Sequence, residues 1–209
     1  MGTDQPDAML ARLAEYEAKS TPTGPLYDDW SPNYERDLID GYGYTAHLIA
    51  ADAFAELATD WSGAIVDFGC GTGLVGEELA KRGYTTIDGL DISTKMLEVA
   101  QAKAVYRQLR AGDLTARTSV DDGEYDAAIC VGSFAPGHLG PSSLAEIARS
   151  VAPGGPIVIF MNGVHFVEDD YQRSIDAMVG HGLWTVESIT THNYMSKLER
   201  PGRLIVARR

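Results

Sequence analysis

The chain has 209 residues, of which 44% are hydrophobic, and its formal net charge is −13 with an isoelectric point near 4.7. One domain with a sizeable core is the expectation at this length. The negative charge disfavours binding to nucleic acid or to an anionic membrane, because both bind clustered lysines and arginines. We therefore expect neither as a partner.

No segment approaches the roughly 20 consecutive apolar residues of a membrane-spanning helix, and the acidic first ten residues lack the features of a signal peptide. These patterns predict a cytoplasmic protein. Cys70 and Cys130 lie in apolar segments without the spacing of metal ligands. We expect both to be buried, reduced thiols.

The first 44 residues differ in pattern from the rest of the chain. A short helix is predicted over residues 7–19, followed by the linker STPTGP and the aromatic-rich stretch LYDDWSPNYERDLIDGYGY. We interpret residues 1–44 as a helical cap over the mouth of a sheet, and residues 45–209 as the main domain, within a single structural unit.

From residue 45 onward, helical and strand-like patterns alternate, which is typical of a parallel sheet covered by helices. Helices are predicted at 45–58, 74–83, 94–104, 142–155 and 169–182, and strands at 64–68, 84–91, 105–113, 125–134, 156–162, 183–195 and 202–209. Gly83 is expected to end the second of these helices, and Ser93 to cap the third. The last two strands are joined by only SKLERP, which is too short for a crossover helix, so they should pair antiparallel. The prediction is an α/β, Rossmann-like sheet of seven mostly parallel strands, with an antiparallel last strand and helices on both faces.

The first strand runs into a glycine-rich turn, AIVDFGCGTGLVG, which has two possible cofactor frames. Gly71, Gly73 and Gly76 fit the spacing of NAD(P)-binding folds, whereas Gly69, Gly71 and Gly73 fit that of S-adenosylmethionine (AdoMet) enzymes. Asp67 favours the second frame: a carboxylate at the strand end repels phosphates but attracts the ammonium and sulfonium groups of AdoMet.

Two further acids follow the next two strands. Asp91 comes 20 residues after Gly71, where a carboxylate can accept hydrogen bonds from the ribose of either cofactor. Asp113, in the segment AGDL, is placed to accept a hydrogen bond from the exocyclic amine of adenine.

The segments VDFGCGTG, GLDIS, AGDL and APGG resemble the successive motifs of class I AdoMet-dependent methyltransferases over residues 45–209. The stretch YDDWSPNYERDL is similar to small methyltransferase-like proteins related to one encoded in the Williams–Beuren syndrome region. The family's antiparallel seventh strand agrees with the predicted topology. Together, the motifs and the resemblance give these cofactor-binding candidates: Tyr34, Asp67, Gly69, Gly71, Gly73, Asp91, Ile92, Met96, Asp113 and Leu114.

Methyl transfer from a sulfonium is an in-line displacement that depends mainly on positioning. A general base is needed only when the acceptor is a protonated oxygen or nitrogen. The candidates for this role are Tyr34 and three histidines in loops expected at the carboxyl ends of strands. His138 lies in GSFAPGHL after the fourth strand, His165 in NGVHF after the fifth, and His192 in THNYM near the end of the sixth. Tyr34 could also close over the sulfonium by cation–π attraction, together with Tyr27 and Trp30.

The fourth strand leads into GSFAP rather than the N-P-P-Y of base- and glutamine-methylating relatives, which favours a small-molecule acceptor. Gly132, Ser133 and Asn162 stand where catechol-type relatives hold magnesium with acids, so no metal is predicted. Two alternatives stay open: an NAD(P)-dependent oxidoreductase and an AdoMet-binding module without catalysis. The aromatic residues of the cap are equally compatible with a homodimer contact.

Overall fold

A computed structural model of the chain describes residues 24–58, 61–135 and 138–209. The helix predicted over residues 7–19 and most of the linker after it lie outside the described residues.

The described part of the cap is helical and packs on the sheet. Helix α1 spans Gly24–Trp30, and α2, Tyr34–Arg36, continues into a π-helical turn, Asp37–Gly41. Trp30 and Leu38 are buried in the same apolar cluster as residues of the central strands. The indole N–H of Trp30 donates to the Asp37 carboxylate at 3.0 Å. The boundary proposed between residues 44 and 45 stays a prediction.

The sheet has seven strands in the order β3-β2-β1-β4-β5-β7-β6. The strands are β1 Ile65–Phe68, β2 Ile87–Asp91, β3 Gln108–Ala111, β4 Ala127–Val131, β5 Pro156–Asn162, β6 Thr185–Met195 and β7 Arg200–Arg208. Strands β1 to β5 pair parallel, and β7 runs antiparallel to both β5 and β6. The predicted Rossmann-like architecture and the terminal antiparallel hairpin are confirmed.

Helices cover both faces of the sheet. After the cap come α3 Ala46–Leu57, α4 Leu74–Lys81, α5 Thr94–Ala102, α6 Ser143–Ser150, α7 Gly163–Glu168 and α8 Tyr171–Gly180. Apolar side chains of α6, α7 and α8 pack on one face, and those of α3 and α4 pack with the cap on the other. Strands β1 and β4 are fully buried between these layers, and the unbroken apolar run of β4 predicts this burial. The carboxyl ends of β1, β2 and β4 meet at one edge, where ligands bind in open α/β sheets.

Several local predictions agree with the structure. The Ser93 hydroxyl caps α5 by accepting from the Met96 N–H at 3.1 Å, and Gly83 follows α4 with a φ of +94°. Cys70 and Cys130 are buried, free thiols. No helix in the described segments is long and apolar enough to cross a bilayer.

The segment after β5 is a correction to the sequence analysis, which treated NGVHF as a loop. It forms α7, because the Asn162 side chain accepts hydrogen bonds from the N–H groups of Val164 at 2.9 Å and His165 at 3.4 Å. An asparagine cap of this kind satisfies donors that the first turn of a helix leaves unpaired. His165 is therefore a helical residue rather than a loop residue.

Candidate functional site

Three alternating glycines form the turn between β1 and α4. Gly69, Gly71 and Gly73 have φ values of +68°, +53° and +92°, a region that side-chain-bearing residues rarely adopt. A Cβ added at Gly69 would lie 2.0 Å from the Ser133 hydroxyl, whereas one added at Gly71 would meet no atom within 4 Å. Ser133 therefore packs against Gly69, whereas the space beside Gly71 is open and leaves room for a ligand against the backbone.

Gly76, the third glycine of the NAD(P) frame, has a separate explanation. It lies inside α4, and an added Cβ would lie 2.3 Å from Cζ of the Tyr106 ring. The Gly76 N–H also donates to the Tyr106 hydroxyl at 3.2 Å. Close packing of this tyrosine therefore accounts for the glycine without a dinucleotide.

Asp91, at the end of β2, connects the glycine turn to the start of α5. Its carboxylate accepts from the Gly71 N–H and from the Ser93 N–H, both at 2.8 Å. Burial raises the pKa of Asp91 above its ordinary value, although these backbone donors oppose the shift. The carboxylate also lines the main cavity, where its remaining lone pairs are available to a ligand.

The main cavity lies at the carboxyl edge of the sheet and has a volume of about 320 Å³. This volume is in the range of small-molecule sites. The structure brings eight of the ten predicted cofactor residues to its wall: Tyr34, Gly69, Gly71, Asp91, Ile92, Met96, Asp113 and Leu114. Asp113 is exposed and also organises its own loop, since its carboxylate accepts from the Thr115 N–H at 2.8 Å.

The other two predicted cofactor residues do not line this cavity. Gly73 precedes α4 and packs close to Tyr106. Asp67 is fully buried, and one of its oxygens accepts from the Tyr106 hydroxyl at 2.7 Å. Its other oxygen, Oδ1, has no hydrogen-bond donor among the residues that the structure describes. Burial raises the pKa of Asp67 to about 7.

The structure separates the three candidate histidines. His138 lines the main cavity, and its Nε2 lies 2.9 Å from the Tyr27 hydroxyl. His165 is buried on α7, with its Nε2 3.0 Å from Asp169, and it does not line the main cavity. His192 lies on β6 beside the hydroxyl of Thr190, and it does not line the main cavity either. Of the three candidate histidines, therefore, only His138 lines the main cavity, because α7 and β6 hold the other two elsewhere.

The aromatic residues of the cap form one cluster over the cavity mouth. The ring centroids of Tyr27 and Trp30 are 6.0 Å apart, and those of Trp30 and Tyr34 are 4.8 Å apart. Burial, followed by the negative charge of Asp91, raises the pKa of the Tyr34 hydroxyl well above its usual range. Tyr34 is therefore a neutral phenol that can donate a hydrogen bond or offer its ring face, and it is a poor base.

A second cavity of about 70 Å³ adjoins the first and shares four lining residues with it: Tyr27, Tyr34, Gly132 and His138. Its other walls are mostly aromatic or apolar and come from distant parts of the chain, including Tyr44, Phe134, Phe160, Tyr194 and Met195. Two polar side chains, those of Asn162 and Arg200, complete it. The sequence analysis did not identify Arg200.

Polar contacts hold the cap against the rim of the main cavity. The Ser93 hydroxyl donates to the Asp28 carboxylate at 2.5 Å. Lys103 forms ion pairs with Glu35 of the cap at 2.7 Å and with Glu77 of α4 at 2.8 Å. These contacts tie the cap to α4 and to the two residues that flank α5.

The described residues contain no group of three or more His, Cys, Asp or Glu side chains suited to a metal ion. Gly132 and Ser133 line the main cavity without offering a carboxylate, and the Asn162 oxygen is used as the cap of α7.

The strand order, the glycine turn and the acid at the end of β2 define a Rossmann-like protein that binds a nucleoside-containing cofactor. A family model described as "Methyltransferase domain" matches residues 65–155. Human methyltransferase-like protein 27 is 30% identical over 166 residues, which cover 76% of this chain and 66% of the human protein.

Shorter segments of the chain match methyltransferases whose names give different methyl acceptors. Ubiquinone biosynthesis O-methyltransferase of Alkalilimnicola ehrlichii is 33% identical over 101 residues, which cover 45% of this chain and 39% of that enzyme. The 18S rRNA (guanine-N(7))-methyltransferase RID2 of Arabidopsis thaliana is 42% identical over 67 residues, which cover 32% of this chain and 23% of that enzyme. The solved structure of the [4+2]-cyclase SpnF shares the fold, with a TM-score of 0.68 at 16% identity. The match covers 89% of this chain and 94% of the SpnF chain.

The chain spans about two thirds or less of the length of these curated relatives. It belongs to the class I AdoMet-dependent methyltransferases. The cofactor of this family is AdoMet, so the NAD(P)-dependent alternative is set aside.

Proposed function

We propose that this protein catalyses methyl transfer from AdoMet to a small-molecule acceptor. The observation that carries the proposal is the pair of adjoining cavities. The larger is walled by the glycine turn and acidic residues, and the smaller is aromatic. Tyr34 and His138 stand in the walls of both.

The residues of the larger cavity fit AdoMet. Gly71 leaves open space where a side chain would project. Asp91 offers unused carboxylate lone pairs to ribose hydroxyls, and Asp113 offers an acceptor to the adenine amine. Asp67 is fully buried and does not line this cavity, so we assign it no direct contact with the cofactor. AdoMet, when bound, supplies the methyl group and leaves as S-adenosylhomocysteine.

The acceptor site supports a small molecule. Its volume of about 70 Å³ is small, and the cap covers the mouth. The net charge of −13 works against an RNA acceptor, although one relative is named for rRNA methylation. We propose that neither nucleic acid nor a membrane is the partner.

His138 is the residue that we assign as general base. It stands in both cavity walls, and the Tyr27 hydroxyl within hydrogen-bonding distance fixes the orientation of its ring. It would take the proton from an O–H or N–H acceptor, while the neutral Tyr34 hydroxyl positions the acceptor by donating a hydrogen bond. A thiolate acceptor would need no proton transfer and would react by positioning alone.

Incubation with methyl-labelled AdoMet tests the proposal. The protein is supplied in parallel with a low-molecular-weight metabolite extract, total RNA and total protein. The label should enter the small-molecule fraction and disappear from it with the His138→Gln variant. Label entering only RNA or only protein would overturn the acceptor class. Tight AdoMet binding with no transfer to any fraction would instead support the non-catalytic module.

The homodimer stays a prediction. Its motivation was the aromatic character of the cap, but Trp30 is only 2% exposed and packs inward. The mass of the protein in solution, measured by light scattering, tests it directly.

A further inference from the structure

The charges on the walls of the two cavities are of opposite sign. Asp91 and Asp113 line the larger cavity, where the cofactor is cationic. No Asp or Glu side chain lines the smaller cavity, and Arg200 is the cation in its wall.

Arg200 has no ion pair or hydrogen-bond partner for its side chain among the described residues, whereas many other arginines in the chain have carboxylate partners. Arg173 also has no carboxylate partner, but it is exposed, whereas Arg200 is half-buried in a cavity wall. Its neighbour Glu199 is exposed and does not pair with it. A half-buried guanidinium beside aromatic walls is poorly compensated until an anion binds, and its planar donors suit a carboxylate or phosphate.

The position of Arg200 is set by the sheet. Arg200 begins β7 and pairs with Met195 at the end of β6. Because β7 is antiparallel to β5, its first residues lie near the carboxyl end of β5, at the edge that carries the site. The hairpin therefore brings this cation into the wall of the smaller cavity, which Tyr34 and His138 also line.

We propose that the methyl acceptor is a small molecule with an aromatic or apolar body and one anionic group, and that Arg200 binds this anionic group. The aromatic side chains of the smaller cavity hold the body. The inference rests on the proposed methyl transfer, because it assigns the second cavity to the acceptor.

The test measures binding of simple probes to protein saturated with S-adenosylhomocysteine. Benzoate and phenylacetate are titrated beside their neutral amides, benzamide and phenylacetamide, and followed by ligand-observed NMR. Each acid should bind at least about tenfold more tightly than its amide, as expected for a hydrogen-bonded charge. Arg200→Ala should remove this preference, and Arg200→Lys should retain part of it.

Arg173→Ala is the matched control, because it removes an exposed, unpaired arginine on α8 and should leave the preference unchanged. Unaltered affinity for S-adenosylhomocysteine shows that each variant is folded. Equal affinity for acid and amide, no saturable binding of either acid, or a preference that survives in Arg200→Ala would overturn the proposal. Label transfer is measured separately, so a protein that keeps the anion preference but transfers no methyl group would refute only the proposed function.

Discussion

Replacing Asp91 with asparagine changes a side chain that joins the glycine turn to the start of α5. The carboxylate accepts backbone hydrogen bonds from Gly71 and Ser93, both at 2.8 Å. Asparagine keeps a single carbonyl oxygen, so one of these donors would face an amide N–H instead. The substitution is nearly isosteric, which keeps the packing of the site unchanged.

The magnitude follows from two opposing effects. A hydrogen bond to a charged group contributes about 1.5–3 kcal/mol. Burial already raises the pKa of Asp91, so removing the charge also relieves part of a desolvation cost. We expect the ligand-free variant to lose about 1–2 kcal/mol of unfolding free energy. Loss of the ribose acceptor and of the negative charge near the sulfonium should weaken AdoMet by about 1–3 kcal/mol, or 5- to 150-fold.

Calorimetric titration with AdoMet and S-adenosylhomocysteine gives the affinities, and urea unfolding gives the stability. Asp176→Asn is the control, because it neutralises an exposed acid on α8 outside the site. AdoMet should be weakened more than S-adenosylhomocysteine, since only AdoMet carries the sulfonium charge. Unchanged AdoMet affinity in a folded Asp91→Asn variant would refute the placement of the ribose at Asp91.

Three other substitutions test separate parts of the site. Gly76→Ala places a Cβ 2.3 Å from Cζ of Tyr106 and should cost about 1–3 kcal/mol in urea unfolding, whereas Gly180→Ala, with no atom within 4 Å, should cost little; equal costs would contradict the packing explanation. The pKa of Asp67 rises from its ordinary 3.8 to about 7, so the ligand-free protein should lose stability as pH rises through this window. Asp67→Asn should lack that loss, which at 1.36 kcal/mol per pKa unit is at most about 4 kcal/mol, and parallel pH profiles of unfolding free energy would contradict this assignment. For an O–H or N–H acceptor, His138→Gln should lower turnover by about 10²- to 10⁴-fold with little change in cofactor affinity. Undiminished turnover would exclude His138 as the base.

The sheet was predictable because each strand and each longer helix carries its own local pattern. The short link between the last two strands was enough to predict their antiparallel pairing, which the β6–β7 register confirms. Helix α7 was missed because its six residues are too few to show helical periodicity. The one available signal was Asn162, an N-cap residue that follows directly on an apolar strand.

The cofactor cavity was predictable because its wall follows strand ends that recognisable motifs mark. Asp67 was placed on the correct strand, but adjacent strand residues point to opposite faces, and the partner of its carboxylate, Tyr106, lies 39 residues away. The acceptor cavity could not be predicted in this way. Arg200, Phe134 and Tyr44 come together only through the fold, because no motif joins them along the chain.

The central claim is that the glycine turn binds AdoMet rather than a dinucleotide. Parallel calorimetric titration of the protein with AdoMet, S-adenosylhomocysteine and NADH tests it most directly. We predict saturable binding of the first two and none of NADH, because Gly71 opens toward the cavity while Gly76 is filled by Tyr106. Binding of NADH without AdoMet would contradict the assignment of the turn, the role of Asp113, and the proposed methyl transfer.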